Sequence, residues 1–116
     1  NMSERVWKRP NGESEGEFSV KFIRPKSLAD EGFVGDLLEG TFLEAIENKY
    51  DPNKYDYKFE QEDGTIVIVN HAGNLAHRMK EVSPGDFCKI VYEGKKEMKK
   101  GTYKGTMAHS FDVLVA

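Results

Sequence analysis

One cysteine in 116 residues leaves no partner for an internal disulfide. Its setting in the apolar run Phe87-Cys88-Lys89-Ile90-Val91 favours a buried, inert thiol over a nucleophile, because no dedicated cationic neighbour is there to form a thiolate. Thiol usage of this kind points to a reducing compartment, with the cytoplasm (a host cell's, for a phage-encoded chain) as the expected location. No stretch approaches the roughly 18 consecutive apolar residues of a membrane span, and the N-terminus is charged rather than signal-like, so no membrane association is expected. An excess of positive charge is missing too: 17 Lys and Arg stand against 20 Asp and Glu, a formal charge of −3. That balance excludes a protein that coats nucleic acid by bulk electrostatics and requires any such site to be local.

Histidine is equally sparse. His71 and His77 lie six apart, on different faces of a helix, and His109 and Cys88 fall on separate strands with no Cys-x-x-Cys or His-x-x-x-His pair, so neither metal nor cofactor is expected. A Walker-type phosphate loop is absent, and carboxylates do not cluster for metal-assisted hydrolysis. Gly32-Phe33-Val34-Gly35 resembles the clamp loop of KH domains, but Asp36 follows where a phosphate-facing loop should be basic. Nothing in these patterns argues for an enzyme.

What is present is a β-rich pattern with one concentrated exception to the acidic balance. Between the apolar strand Asp86 to Tyr92 and a closing strand His109 to Val115, the loop Glu93 to Gly105 holds five lysines (Lys95, Lys96, Lys99, Lys100, Lys104) against two glutamates. Such a loop is either a solvated hairpin tip or a place to hold a polyanion. Upstream, residues 1–16 carry too little apolar surface to offset the entropy of ordering and read as a flexible tail, with Asn1 ahead of Met2 an expression remnant. Residues 17–31 hold an edge strand, Glu17 to Ile23, that alternates Phe18, Val20 and Phe22 on one face and stops before Arg24-Pro25.

From Gly32 to Ala116 the pattern is that of one compact domain. A long strand from Phe33 to Ile46 contains Gly35 and Gly40, which let it bend. After a polar loop (Glu47 to Lys54), Tyr55 to Glu60 alternates aromatic against charged, placing Tyr57 and Phe59 in the core and Asp56, Lys58 and Glu60 in water. Glu62-Asp63-Gly64 signals a hairpin turn into the β-branched strand Thr65 to Val69. Asn70 then reads as the N-cap of a helix of about three turns, with Leu75, Ala76, Met79 and Val82 on one face and Arg78 and Lys80 facing out, ended by Ser83-Pro84-Gly85.

Three strands, one short helix and two further strands form the element order of the oligonucleotide-binding (OB) fold. The expected architecture is therefore mainly β: a five-stranded Greek-key OB barrel with its helix between strands three and four, plus the extra N-terminal strand. The expected inward set is Leu43, Tyr57, Phe59, Ile66, Ile68, Leu75, Met79, Cys88, Ile90, Tyr92, Phe111 and Val113. The segments Tyr57-Lys58-Phe59-Glu60, Asp63-Gly64, Gly73-Asn74-Leu75, Val82-Ser83-Pro84-Gly85-Asp86, Ile90 to Lys95 and His109 to Val113 resemble the small OB-fold proteins encoded by tailed bacteriophages. That resemblance implies binding of single-stranded DNA in replication or recombination. The chain departs from the best-known strand-coating proteins in ending on a core strand rather than a long acidic tail, which puts partner recruitment through such a tail in doubt.

In the OB architecture the first-to-second and fourth-to-fifth strand loops flank one face. Here they offer Lys49, Tyr50, Lys54 and Tyr55 on one side and Lys95, Lys96, Lys99, Lys100, Tyr103 and Lys104 on the other, with Lys58 between. Lysines meet phosphates while flat rings stack on unpaired bases, so the expected function is non-enzymatic binding of single-stranded nucleic acid, DNA above RNA, with little sequence preference. The competing expectation is a protein-interaction or structural module that docks on a replication protein, or on a second copy, through the exposed edge strand.

Overall fold

The computed structural model describes residues 20–116. The tail at 1–16, and the first residues of the edge strand at 17–19, lie outside the described residues. Eight elements follow in chain order: β1 (Val20–Ile23), α1 (Pro25–Asp30), β2 (Gly35–Glu47), β3 (Tyr55–Glu60), β4 (Ile66–Val69), α2 (Leu75–Met79), β5 (Phe87–Glu97) and β6 (Met107–Val115). The strands form one mixed six-stranded sheet in the order β1-β4-β3-β2-β5-β6, antiparallel except where β1 pairs with β4. The chain is thus mainly β, with two short helices. No helix among the described residues is long and apolar enough to cross a membrane.

The long strand β2 holds this order together. Its first half pairs with β5 (Gly35↔Tyr92 to Thr41↔Phe87) and its second half with β3 (Thr41↔Glu60 to Glu47↔Tyr55), so Thr41 is where the ladder changes partner. Register shifts fall between Asp36 and Leu38 and between Phe42 and Glu44, beside the two glycines expected to bend the strand. The second shift takes Leu43 out of its expected inward place: Phe42 is buried and packs its ring 5.4 Å from Phe59, while Leu43 is half-buried.

A second correction concerns β4. Ile66 and Ile68 face outward and are half-buried, whereas Val67 and Val69 are fully enclosed. The reason is register: Val67 opposes Phe59 and Val69 opposes Tyr57, and opposed residues share a face. With Ile90, Tyr92, Leu75, Cys88 and Phe111, all at most 1% exposed, these two valines form the centre of the core.

Among the described residues the sheet does not close on itself by strand pairing, as a five-stranded barrel would; β1 and β6 are its ends. The free edge of β6 is instead met by the segment leading into α2. Asn74 Oδ1 accepts from the Phe111 amide at 2.7 Å, Asn74 Nδ2 and Arg78 Nε donate to the Phe111 carbonyl at 3.3 and 3.0 Å, and the Asn74 amide donates to the His109 carbonyl at 3.2 Å. Orphan backbone groups at a sheet edge need such partners. Asn74, rather than Asn70, therefore stands at the start of α2, and its side chain serves β6 instead of capping the helix. α2 is also shorter than expected, five residues, with Val82 packed on the core from beyond it; Arg78 is exposed as expected, and its Nε is in addition bonded to β6. α1 was not anticipated; Pro25 at its first turn supplies a helical φ where no donor is needed.

Candidate nucleic-acid interface

The first part of the segment Glu93 to Gly105, read from sequence as a loop, is ladder: Gly94↔Ser110, Lys95↔His109, Lys96↔Ala108 and Glu97↔Met107 extend the β5–β6 hairpin beyond Tyr92, where its pairing with β2 ends. Only residues 98–106 form the tip, tied by Met98 N to Thr106 O at 2.8 Å and Gly105 N to Met98 O at 2.9 Å. Successive strand residues point to opposite faces, so Lys95 and Lys96 serve different sides of this ribbon while Lys99, Lys100, Tyr103 and Lys104 crown it. Tyr103 is 69% exposed. Among the described residues Lys95, Lys99, Lys100 and Lys104 have no ion-pair partner, whereas Lys96 lies 3.6 Å from Glu93. Hydrogen bonding from Ser110, opposed by burial and assisted by Lys96 and Arg78, holds the Glu93 carboxyl below its usual range.

At the other end of β2, the β2–β3 loop presents Tyr50, 87% exposed, with the Lys49 ammonium 5.7 Å from its ring centroid, and exposed Lys54 and Tyr55. Lys58 is half-buried on β3 and paired with Glu44 at 3.6 Å. The rings of both loops thus face water. The loops themselves leave opposite ends of β2, a strand of 13 residues, so the register does not make them adjacent.

The β2–β3 loop is rigidly founded. Asn48 Nδ2 donates to both oxygens of Asp56 at 3.1 and 3.0 Å, while Asn48 Oδ1 accepts from the Tyr50 and Asp51 amides at 2.9 and 3.0 Å. The His71 amide donates to Asp56 Oδ1 at 2.9 Å. Asp56, expected in water, shares an outward face of β3 with Lys58 but is buried beneath these donors. Burial alone would raise its carboxyl; hydrogen bonds from the His71 amide and Asn48, with the Asn70 side chain and the His71 ring nearby, outweigh it and hold the group below the usual aspartate range. A folded-state value below the unfolded one, about 3.9, means that ionised Asp56 adds stability that is complete above that pH and lost as pH falls through the lower folded value. Melts of wild type and Asp56→Asn should therefore differ at pH 6 to 7 in favour of wild type and converge below about pH 4; a constant gap would contradict this.

Comparisons with protein-family models, with curated proteins and with solved structures find no match for this chain.

Sequence reasoning passed over a second group of cations. The parallel register Ile23↔Val69, continued by Asn70 N to Ile23 O at 3.0 Å, sets Arg24 beside the segment after β4. Arg24, Pro25, Lys26, Asn70, His71, Ala72 and His109 line one hollow of about 330 Å³. A larger hollow, about 530 Å³, lies along the ribbon between Asn74, Lys96, Lys99 and Ser110 and includes His109 as well. The Tyr92 hydroxyl and His109 Nδ1 share a hydrogen bond at 2.7 Å, and burial pushes the Tyr92 phenol up. Phe22, 49% exposed on the outer face of β1 opposite Ile68, carries the Arg24 guanidinium 5.4 Å from its ring centroid. The only hint in the sequence was the cationic pair flanking Pro25; nothing there joined residues 24, 71 and 109. Among the described residues no three His, Cys, Asp or Glu side chains gather as a metal ligand set. Cys88 is 1% exposed, and burial, then Asp86, pushes its thiol up.

Proposed function

We propose that the chain is an OB-like module that binds single-stranded nucleic acid, DNA above RNA, without catalysis and with little sequence preference. The observation that carries this reading is the β5–β6 ribbon: four lysines without ion pairs among the described residues and an exposed tyrosine, on a chain whose net charge is −3. Ammonium groups held away from carboxylates are free to replace the counterions of a phosphate backbone, and an exposed ring offers a base a stacking partner worth about 1–3 kcal/mol. Lys49, Tyr50, Lys54, Tyr55 and Lys58 supply the far end of the path, so a bound strand runs along the length of β2 rather than through a narrow clamp. The change of partner at Thr41 and the short helix between β4 and β5 also favour OB ancestry, with the edge of β6 met by Asn74 in place of strand-to-strand closure.

The test is the anisotropy of a labelled oligo-dT titrated at a series of salt concentrations. Wild type should bind at low salt and weaken as salt rises; Lys99→Glu/Lys100→Glu should bind more weakly and lower the slope of log K against log salt by about 1.4, two phosphate contacts at 0.7 each. In the same series Tyr103→Ala should lose roughly five- to a hundredfold in affinity with an unchanged melting temperature. No binding at low salt, or affinity indifferent to the lysine reversal, removes the reading.

A protein-docking module is the second reading, favoured by one feature: among the described residues β1 pairs on one side only, and it exposes Val20 and Phe22. Its signature would be a concentration-dependent mass by light scattering in a chain that ignores oligo-dT.

A further inference from the structure

We propose that the hollow lined by Arg24, Lys26, His71 and His109 is a phosphate subsite, holding one backbone phosphate of the same strand that crosses the lysine ribbon. The inference rests on the nucleic-acid reading and adds to it a second, separate place of contact.

Three segments distant in sequence converge there for reasons already described: β1 is paired with β4, and the start of α2 is bonded to the backbone of β6. The lining that results contains two permanent cations and two imidazoles and no carboxylate. Two carboxylates adjoin it: Asp56, 3.5 Å from His71 Nδ1 and already held by Asn48 and the His71 amide, and Asp30, which contacts Lys26 at 3.4 Å through side chains that are 65% and 82% exposed, an i,i+4 pair that exchanges readily for a better anion.

Both imidazoles turn the same ring atom toward the protein. His109 Nδ1 is engaged by Tyr92, and His71 Nδ1 lies 3.5 Å from Asp56 Oδ1, leaving each Nε2 without a protein partner among the described residues. A guanidinium fork, an ammonium and the His109 Nε2, which can donate while Nδ1 accepts from Tyr92, suit an oxyanion with several acceptor oxygens, which is what a phosphate offers. His109 adjoins both hollows, so a strand lying on Lys96 and Lys99 reaches Arg24 and Lys26 across a single side chain. The exposed Phe22 ring beside Arg24 gives the adjoining base a surface to stack on.

The charges around His109 suit an anion. Burial, then Lys95 of β5 and Lys26 of α1, hold its imidazolium form back, with Asp30 of α1 opposing; Arg24 and His71 share its hollow, and Lys96, Lys99 and Glu97 flank the other side. A phosphate placed there favours protonation, so binding takes up a proton and tightens from pH 8 to pH 6.

The experiment compares wild type, Arg24→Glu/Lys26→Glu and Lys80→Glu, a reversal at a lysine that lines neither hollow, by oligo-dT anisotropy over salt and pH. All three substituted side chains are exposed, so melting temperatures should match. The double variant should bind about tenfold or more weakly, with a salt slope smaller by about 1.4 and a flattened pH dependence, while Lys80→Glu changes affinity by no more than about twofold. In wild type the His71 and His109 ring resonances should shift on adding the oligonucleotide. If wild type binds but the double variant behaves like Lys80→Glu, or the histidine resonances stay in place, the subsite is refuted and the ribbon reading survives. If wild type does not bind at all, both fall together.

Discussion

Gly73→Ala should lower the melting temperature by about 10 °C or more, the largest effect expected of any single methyl group in this chain. Gly73 has φ +45°, a region L-residues rarely occupy, and a Cβ built there would overlap the carbonyl carbon and oxygen of His109. The left-handed conformation costs about 1–3 kcal/mol and forced overpacking about as much again. Neither obstacle is the end of a flexible side chain. The obstructing atoms are backbone in β6, in the same residue whose carbonyl accepts from Asn74, so relief requires the segment 73–78 to lift off the sheet edge. Gly101→Ala is the matched control: φ is +83°, but nothing lies within 4 Å of the new carbon, so only the conformational cost applies. Melting temperatures for the two variants within about 3 °C of each other would mean that the contact between Gly73 and β6 is not a constraint on the fold.

The second large effect is expected at Asn74. Its alanine variant removes the acceptor of the Phe111 amide and one donor to the Phe111 carbonyl, in a residue that is fully buried. An enclosed amide left without a partner costs about 1–3 kcal/mol and the second bond about 1 more, so urea denaturation should give a loss of roughly 2–4 kcal/mol. Arg78 Nε, at 3.0 Å from the same carbonyl, keeps that oxygen satisfied and should prevent complete release of the edge. Asn74→Asp retains the acceptor but cannot donate and should recover part of the loss. Amide exchange at Phe111 should accelerate in the alanine variant far more than at Ile90, which sits in the centre of the sheet. A loss below about 1 kcal/mol would show that the sheet edge holds without this asparagine.

How much of this was legible depended on whether each strand had two different faces. Tyr55 to Glu60 alternates rings with charges, and Tyr57 and Phe59 are buried as that pattern requires. Ile66 to Val69 is apolar at every position, its valines in the core and its isoleucines side by side with Val20 and Phe22 of β1 on the outward face, so period-two reasoning had no polar residue from which to assign the inside. Leu43 was lost to a bulge that Gly40 announces without fixing the residue at which the alternation changes face. Asp56 obeyed its strand parity and was nonetheless covered, since a loop asparagine eight residues earlier returns to it. The lysines of the ribbon were visible as a charge cluster, and their exposure follows from hydration of ammonium groups. The group formed by Arg24, Lys26, His71 and His109 depends on a parallel pairing and on docking at a sheet edge, both long-range events that local pattern does not encode.

The reach of β5 and β6 past the end of β2 has a mechanical consequence. From Gly94 outward each of these strands has the other as its only ladder neighbour, and a register shift between Tyr92 and Gly94, with φ +84° at the glycine, marks the base of that extension. The first pair, Lys95 and His109, is still tied to the body by the His109 carbonyl on Asn74 and the His109 ring on Tyr92, so twisting that spares both begins farther out, beyond Glu97 and Met107. Lys99, Lys100 and Lys104 therefore sit on the last joint of a finger whose base is fastened, able to follow an irregular backbone while the palm that carries them keeps its shape.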